Sequence, residues 1–175
     1  IDPVNFDLED KEVLMESYNS SIKGKKIDVL VNNAGILENK IIQLNDEKSL
    51  KKIFEINLFN TILFTQQILK NMLIKKAGVV LNISSISATE NNYGRFSYSA
   101  TKAGILVATK NMAKEFAKSN IRVNSISPGL INTKMLKNNT DENNIKKTLS
   151  RVCLNRLGEP SEIANVALFL CSNLS

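Results

Sequence analysis

KIDVLVNNAG, residues 26–35, decides the fold class. Ile27, Val29, Leu30 and Val31 make a short apolar run rich in β-branched residues, and Asn32, Asn33, Ala34 and Gly35 stop it where a chain can turn sharply. GVVLNISS (78–85) and IRVNSISPG (121–129) have the same form, ended by Ser, Pro or Gly. Runs apolar on both faces predict strands of a parallel sheet covered by helices on both sides. Between the runs, apolar residues three and four apart predict helices over 10–23, 49–73 and 98–119. A terminal helix over 161–171 follows Pro160, with Ser161 as its N-cap. The Asn- and Lys-rich stretch 133–151 reads as a mobile surface loop placed to act as a lid.

Strand and helix alternate, which predicts an α/β, doubly wound parallel sheet of Rossmann-like type. Ligands of such sheets bind beyond the carboxyl ends of the strands. Here those ends are Asn33, Ala34 and Gly35; Ser84 and Ser85; and Pro128, Gly129 and Ile131. They are expected along one rim, as a cofactor crevice.

Composition narrows the chemistry. The 175 residues fit one domain with its own core, and 43% hydrophobic with 23% charged residues is ordinary for a globular protein. The formal charge of +6 comes mostly from lysines scattered in pairs, with no long basic block and no aromatic platform. A solvated surface explains it, and no nucleic-acid partner is expected. There is no histidine, and Cys153 and Cys171 form no CxxC, so Ser-His-Asp and Cys-His catalysis are excluded and no metal site is expected. Proton transfer at neutral pH falls to Tyr, Lys, Asp or Glu. No apolar run approaches the ~20 residues of a membrane span, and the acidic IDPVNFDLED is unlike a signal peptide, so a cytoplasmic setting without a membrane partner is expected.

SYSATKAG, residues 97–104, holds the strongest candidates for that proton transfer. Tyr98 and Lys102 stand four apart, on one helix face with Cβ atoms about 6 Å apart. Alone, such a pair is either a solvated face or an acid and its partner. Ala100, Ala103 and Gly104 keep the helix slim, and Ser85 ends a strand thirteen residues earlier. A tyrosine, with an ordinary pKa of about 10, becomes a usable acid when an ammonium favours its phenolate. A serine hydroxyl can polarise a carbonyl oxygen beside it.

In order along the chain, NNAG, INL, NISS, YSATKAG, SPGLINT and LNRLGEPSEIA resemble the short-chain dehydrogenases/reductases, over nearly the whole length. The subgroup most resembled is the 3-oxoacyl-acyl carrier protein reductases. The resemblance implies an NAD(P)(H)-dependent oxidoreductase that reduces a carbonyl, with Tyr98 as proton donor and Lys102 lowering its pKa and binding the nicotinamide ribose. It implies Ser85 on the substrate oxygen and Asn57 holding a water that links Lys102 to solvent. For the cofactor it implies Asp7 and Leu8 at the adenine, Asn33, Ala34 and Gly35 beside the adenine ribose, and Pro128, Gly129, Ile131 and Thr133 on the nicotinamide side. Asp7 serves equally as a helix N-cap, Asn32 as a tie between strands, and Pro128-Gly129 as a plain turn.

By the same resemblance NADP(H) is favoured over NAD(H), the substrate is a small or acyl-carrier-bound carbonyl compound, and the assembly is a homo-tetramer or homo-dimer. Substrate selectivity would lie in 36–46, 88–95 and the stretch after Met135. The family's TGxxxGIG turn is formed by none of the seven glycines, and the chain stops before the family's last strand. The expectation is a single Rossmann-like domain over 1–175, a fragment lacking the first strand-helix-strand unit and the last strand. Two alternatives stay open: a sugar, polyol or other alcohol dehydrogenase of the same family, and a non-catalytic oligomerisation or regulatory module.

Overall fold

Strand β1, Val29–Asn32, lies at one edge of a three-stranded parallel sheet in the order β1-β2-β3, beside β2, Gly78–Ile83, and then β3, Ile121–Ile126. The computed structural model describes residues 3–90 and 93–175; Asn91 and Asn92, within the anticipated substrate loop 88–95, lie outside the described residues. Leu30 is paired with Val80 and Val80 with Val123, so side chains alternate between two faces in register.

One face is the core. Helix α1, Lys11–Ser17, starts at Asp10, whose carboxylate accepts the Glu12 and Val13 N–H groups, and a π turn at Tyr18–Ile22 continues it. Helix α2, Glu47–Phe54, is capped by Asp46 and runs through a π turn, Glu55–Phe59, into α3, Asn60–Lys75. The 49–73 pattern thus describes two helices, because the π turn adds a residue without interrupting the apolar spacing. Helix α4, Phe96–Phe116, ends in a 3₁₀ turn at Ala117–Ser119. Leu14 of α1 and Tyr18 of the π turn after it, together with Phe64, Ile68, Leu69 and Met72 of α3, close on Val80, Ile121 and Val123; Met112 and Phe116 of α4 complete that layer.

The region expected to be a loop over 133–151 is instead two short helices, α5, Lys134–Asn139, and α6, Glu142–Leu149. Their starts are fixed by side-chain caps: Thr133 Oγ1 accepts the Leu136 N–H, and Asp141 Oδ1 accepts the Asn144 N–H. Helix α7, Pro160–Cys171, begins one residue earlier than its expected cap at Ser161. Glu159 is the N-cap, in a reciprocal capping box with Glu162. It packs on β2 and β3 across the second face of the sheet. That face is only partly covered, contrary to the sequence expectation: Val29 and Val31 at the β1 edge remain 41% and 45% exposed.

Candidate active site

The three strand ends do converge. A cavity of about 520 Å³ opens beyond them, lined by Asn33, Ala34 and Gly35 after β1, by Ser84 and Ser85 after β2, and by Pro128, Gly129, Ile131 and Thr133 after β3. Backbone bonds lock these exits side by side: the Ser84 N–H donates to the Ile126 carbonyl at 2.8 Å, and the Ile86 N–H donates to Pro128 at 3.1 Å. Further out, the Asn132 N–H donates to the Gly158 carbonyl at 2.8 Å and the Gly158 N–H to the Leu130 carbonyl at 2.9 Å, which fixes Ile131 in the wall.

Helix α4 brings Tyr98 and Lys102 into this cavity on successive turns. The Lys102 ammonium is held inward by the Ile83 carbonyl at 2.8 Å and lies 5.7 Å from the centre of the Tyr98 ring. Burial alone lowers its pKa from the ordinary lysine value to about 8. Burial raises the Tyr98 phenol; the Ser85 hydroxyl and the charge of Arg95 pull in the opposite direction, without cancelling it. In the protein alone, then, the phenol is kept protonated, with Ser85 and Arg95 as the groups that favour its phenolate. Ser85 is fixed as the cap of a short 3₁₀ turn, its Oγ accepting the Ser87 N–H at 3.1 Å. The slim stretch of α4 admits the π-turn segment: a Cβ on Gly104 would lie 3.0 Å from the Leu58 side chain.

Asn57 comes from that π turn, which swings its buried side chain toward the chain leaving β1. Its Oδ1 accepts the Ile36 N–H and its Nδ2 donates to the Ile36 carbonyl, each at 2.8 Å. Nδ2 also reaches Thr101 Oγ1 at 3.3 Å. Asn57 and the Lys102 ammonium therefore both stand beside Gly35, where a Cβ would lie 3.1 Å from Asn57 Oδ1 and 3.6 Å from Lys102 Nζ.

Two anticipated cofactor residues are not brought to the cavity. Asp7 accepts the Glu9 N–H at 2.8 Å in a local turn, and the Leu8 carbonyl accepts the Asn60 side-chain amide at 2.7 Å while its side chain packs on the core. The segment carrying them is tied to the start of α3 by Asn60 and packs on the core through Phe6 and Leu8. The helix cap beside them is Asp10, not Asp7.

Other residues escape a reading by motif. Asn32 ties strands, as anticipated, donating to Asn82 Oδ1 at 2.7 Å and to Thr65 Oγ1 at 2.8 Å; Asn82 in turn donates to Thr109 Oγ1 at 2.8 Å. This buried polar row joins β1, β2, α3 and α4 beneath the cavity floor. Only the polar interruption of otherwise apolar runs announces it. Arg95 lines the cavity three residues before Tyr98, and the helical period was the signal for it.

A phenol, a hydroxyl and an ammonium gather in the crevice at the carboxyl ends of the strands of a parallel, Rossmann-like α/β sheet. The chain matches the family model described as enoyl-(acyl carrier protein) reductase over residues 4–175. It is 42% identical over 150 residues to the 3-oxoacyl-acyl-carrier-protein reductase FabG of Aquifex aeolicus (strain VF5), covering 85% of this chain and 60% of that protein. It is 36% identical over 176 residues to the FabG reductase of Thermotoga maritima, covering 100% of this chain and 71% of the relative. The crystal structure of a gluconate 5-dehydrogenase from Burkholderia cenocepacia J2315, in complex with NADP and tartrate, matches with a TM-score of 0.88 at 25% identity, over 95% of this chain and 66% of that one. The chain belongs to the short-chain dehydrogenase/reductase family. It spans about 60% of the length of the Aquifex relative.

Proposed function

We propose that the chain is the proton-delivering part of an NADP(H)-dependent reductase that converts the 3-oxo group of an acyl thioester, carried on acyl carrier protein, to a hydroxyl. The observation that carries this reading is the convergence of Ser85, Tyr98 and Lys102 in one cavity, with Asn57 behind it. A carbonyl oxygen seated between the Ser85 hydroxyl and the Tyr98 phenol accepts a hydrogen bond from each, and Tyr98, protonated by virtue of its burial, delivers its proton as the oxygen becomes basic. Lys102 stands behind the phenol, and its depressed pKa lets it exchange a proton near neutral pH. Asn57, by clamping Ile36, keeps the rim open at Gly35.

The residues present fit the nicotinamide half of a dinucleotide. Asn33 and Ala34 are exposed at the rim, and the glycine at 129 has open space where a side chain would project, with only Ile86 at 3.8 Å. Asn33, Ala34, Gly35, Tyr98, Lys102, Pro128, Gly129, Ile131 and Thr133 would hold it. When bound, the cofactor supplies the hydride. NADP(H) is favoured because the solved gluconate 5-dehydrogenase neighbour is in complex with NADP. We read residues 1–175 as one Rossmann-like domain acting in the cytoplasm; the described residues hold no helix long and apolar enough to cross a membrane. A homo-tetramer or homo-dimer is supported by the groove between α3 and α4, lined by Leu69, Leu73, Met112 and Phe116.

The likeness to a gluconate dehydrogenase supports a second reading, a dehydrogenase of sugar acids. Oxidation of NADPH by the full-length protein, followed with a short 3-oxoacyl thioester and with a keto-sugar acid, separates the two. The first reading expects turnover of the thioester and a loss of about a thousandfold or more in Tyr98→Phe. Turnover of the sugar acid alone, or equal rates for wild type and Tyr98→Phe, sinks it.

A further inference from the structure

We propose that Arg95 determines substrate specificity by donating to a second oxygen beside the reacting carbonyl, the thioester oxygen of a 3-oxoacyl substrate. This rests on the reductase reading above. Arg95, the residue that precedes the first turn of α4, lines the same cavity as Tyr98 and Lys102, three residues before the phenol. A 1,3-dicarbonyl compound with one oxygen on Tyr98 carries its second oxygen two carbons away. The guanidinium is a donor in that cavity for it.

The bonding of Arg95 leaves donors for this. Its Nε donates to Asn39 Oδ1 and its Nη2 to Thr140 Oγ1, both at 3.2 Å and both neutral acceptors. Nη1 has no acceptor, and no carboxylate pairs with Arg95, among the described residues. Among the described residues, no Asp or Glu lines the cavity. A half-buried guanidinium with five N–H groups and two long bonds has capacity for another acceptor, and a charge-assisted bond there would be stronger than a neutral one. Asn39 and Thr140 come from the segments on either side of the cavity mouth, so they aim the guanidinium without neutralising it. The Arg95 charge also acts on the Tyr98 phenol, consistent with its closeness to the reacting position.

The test uses the full-length protein with NADPH and two substrates: an acetoacetyl thioester, and a methyl ketone of similar length with no second oxygen. Arg95→Gln is expected to lower kcat/KM for the thioester about tenfold to a hundredfold, while the plain ketone stays within about twofold. Arg95→Lys should restore part of the loss. Thr140→Val, which loosens the aim and keeps the charge, should lower the thioester value by less than Arg95→Gln does and leave the plain ketone within about twofold. Equal loss on both substrates, or Thr140→Val reproducing Arg95→Gln, makes Arg95 a structural latch and overturns the inference. Wild-type thioester kcat/KM in Arg95→Gln overturns it alone. Failure of the wild-type protein to reduce the thioester overturns the reductase reading and the inference with it.

Discussion

Asn57 holds Ile36 by both of its backbone polar atoms, accepting from the N–H and donating to the carbonyl at 2.8 Å each. Asn57 is 2% exposed and Ile36 only partly buried, so removing the amide leaves two half-buried backbone groups without their partner. Asn57→Ala is expected to cost about 1–3 kcal/mol. Urea unfolding of the variant against the wild type measures it; a change below about 0.5 kcal/mol would mean that Ile36 is held by something else.

Gly35 tests the same junction from the other side. A Cβ there would stand 3.1 Å from Asn57 Oδ1 and 3.6 Å from the Lys102 ammonium. Gly35→Ala should therefore push the amide off Ile36 by a few tenths of an ångström, with a loss of activity of about tenfold and a stability change of roughly 1 kcal/mol or less. Steady-state rates and thermal melts on one preparation give both quantities. A large loss of stability with unchanged kcat would contradict it.

Lys102 is expected to titrate near 8, whereas exposed lysines titrate above 10. Direct NMR observation of the side-chain nitrogens resolves this, and a Lys102 midpoint above 10 would refute it. Between about 8 and 10.5 the unfolded chain binds this proton and the folded chain does not, so stability rises with pH across that window. Below it the burial cost is constant, on the order of 3 kcal/mol. Lys102→Met should thus be more stable than wild type at pH 7, less the hydrogen bond to Ile83, with the gain shrinking as pH climbs through the window.

Glu162 provides the opposite case. Arg156, through two bonds of 2.7 and 2.8 Å, and next the Glu159 N–H hold its carboxyl down at about 2. Its contribution is fully present above the ordinary value of 4.5 and is lost as pH falls from there toward 2. Glu162→Gln is expected to flatten part of the acid limb of the stability profile while changing little of the alkaline limb. Chemical unfolding at pH 3 and pH 6 is sufficient; parallel profiles for variant and wild type would exclude the effect.

The strands and their common rim were legible because KIDVLV, GVVLNI and IRVNSI are apolar runs that stop at turn-forming residues. Spacing and the absence of histidine singled out Tyr98, Lys102 and Ser85 as candidates, and only the family resemblance gave them roles; the fold brings all three to one cavity. Helices α5 and α6 were not, since they bury almost nothing: Leu136 alone is buried between them, and their information lies in the caps at Thr133 and Asp141. The break between α2 and α3 was hidden because a π turn leaves no mark in apolar spacing, although it is what aims Asn57. That Asp7 and Leu8 do not line the cavity could not be read from their motif, which specifies neighbours in sequence, while the path of the segment that bears them is set by Asn60 and the core.

The row from Asn32 through Asn82 to Thr109 acts as a check on assembly. Parallel strands meet late in folding, after long stretches of chain have been ordered, and apolar side chains alone discriminate poorly among neighbouring alignments. A slip of one residue at either strand would turn an amide to the wrong side of the sheet and strand its partners without bonds. Misaligned chains are thereby penalised before they can mature. Because the same alignment places the strand ends that carry Gly35 and Ser85, a molecule that passes the check has already built the floor of its cavity.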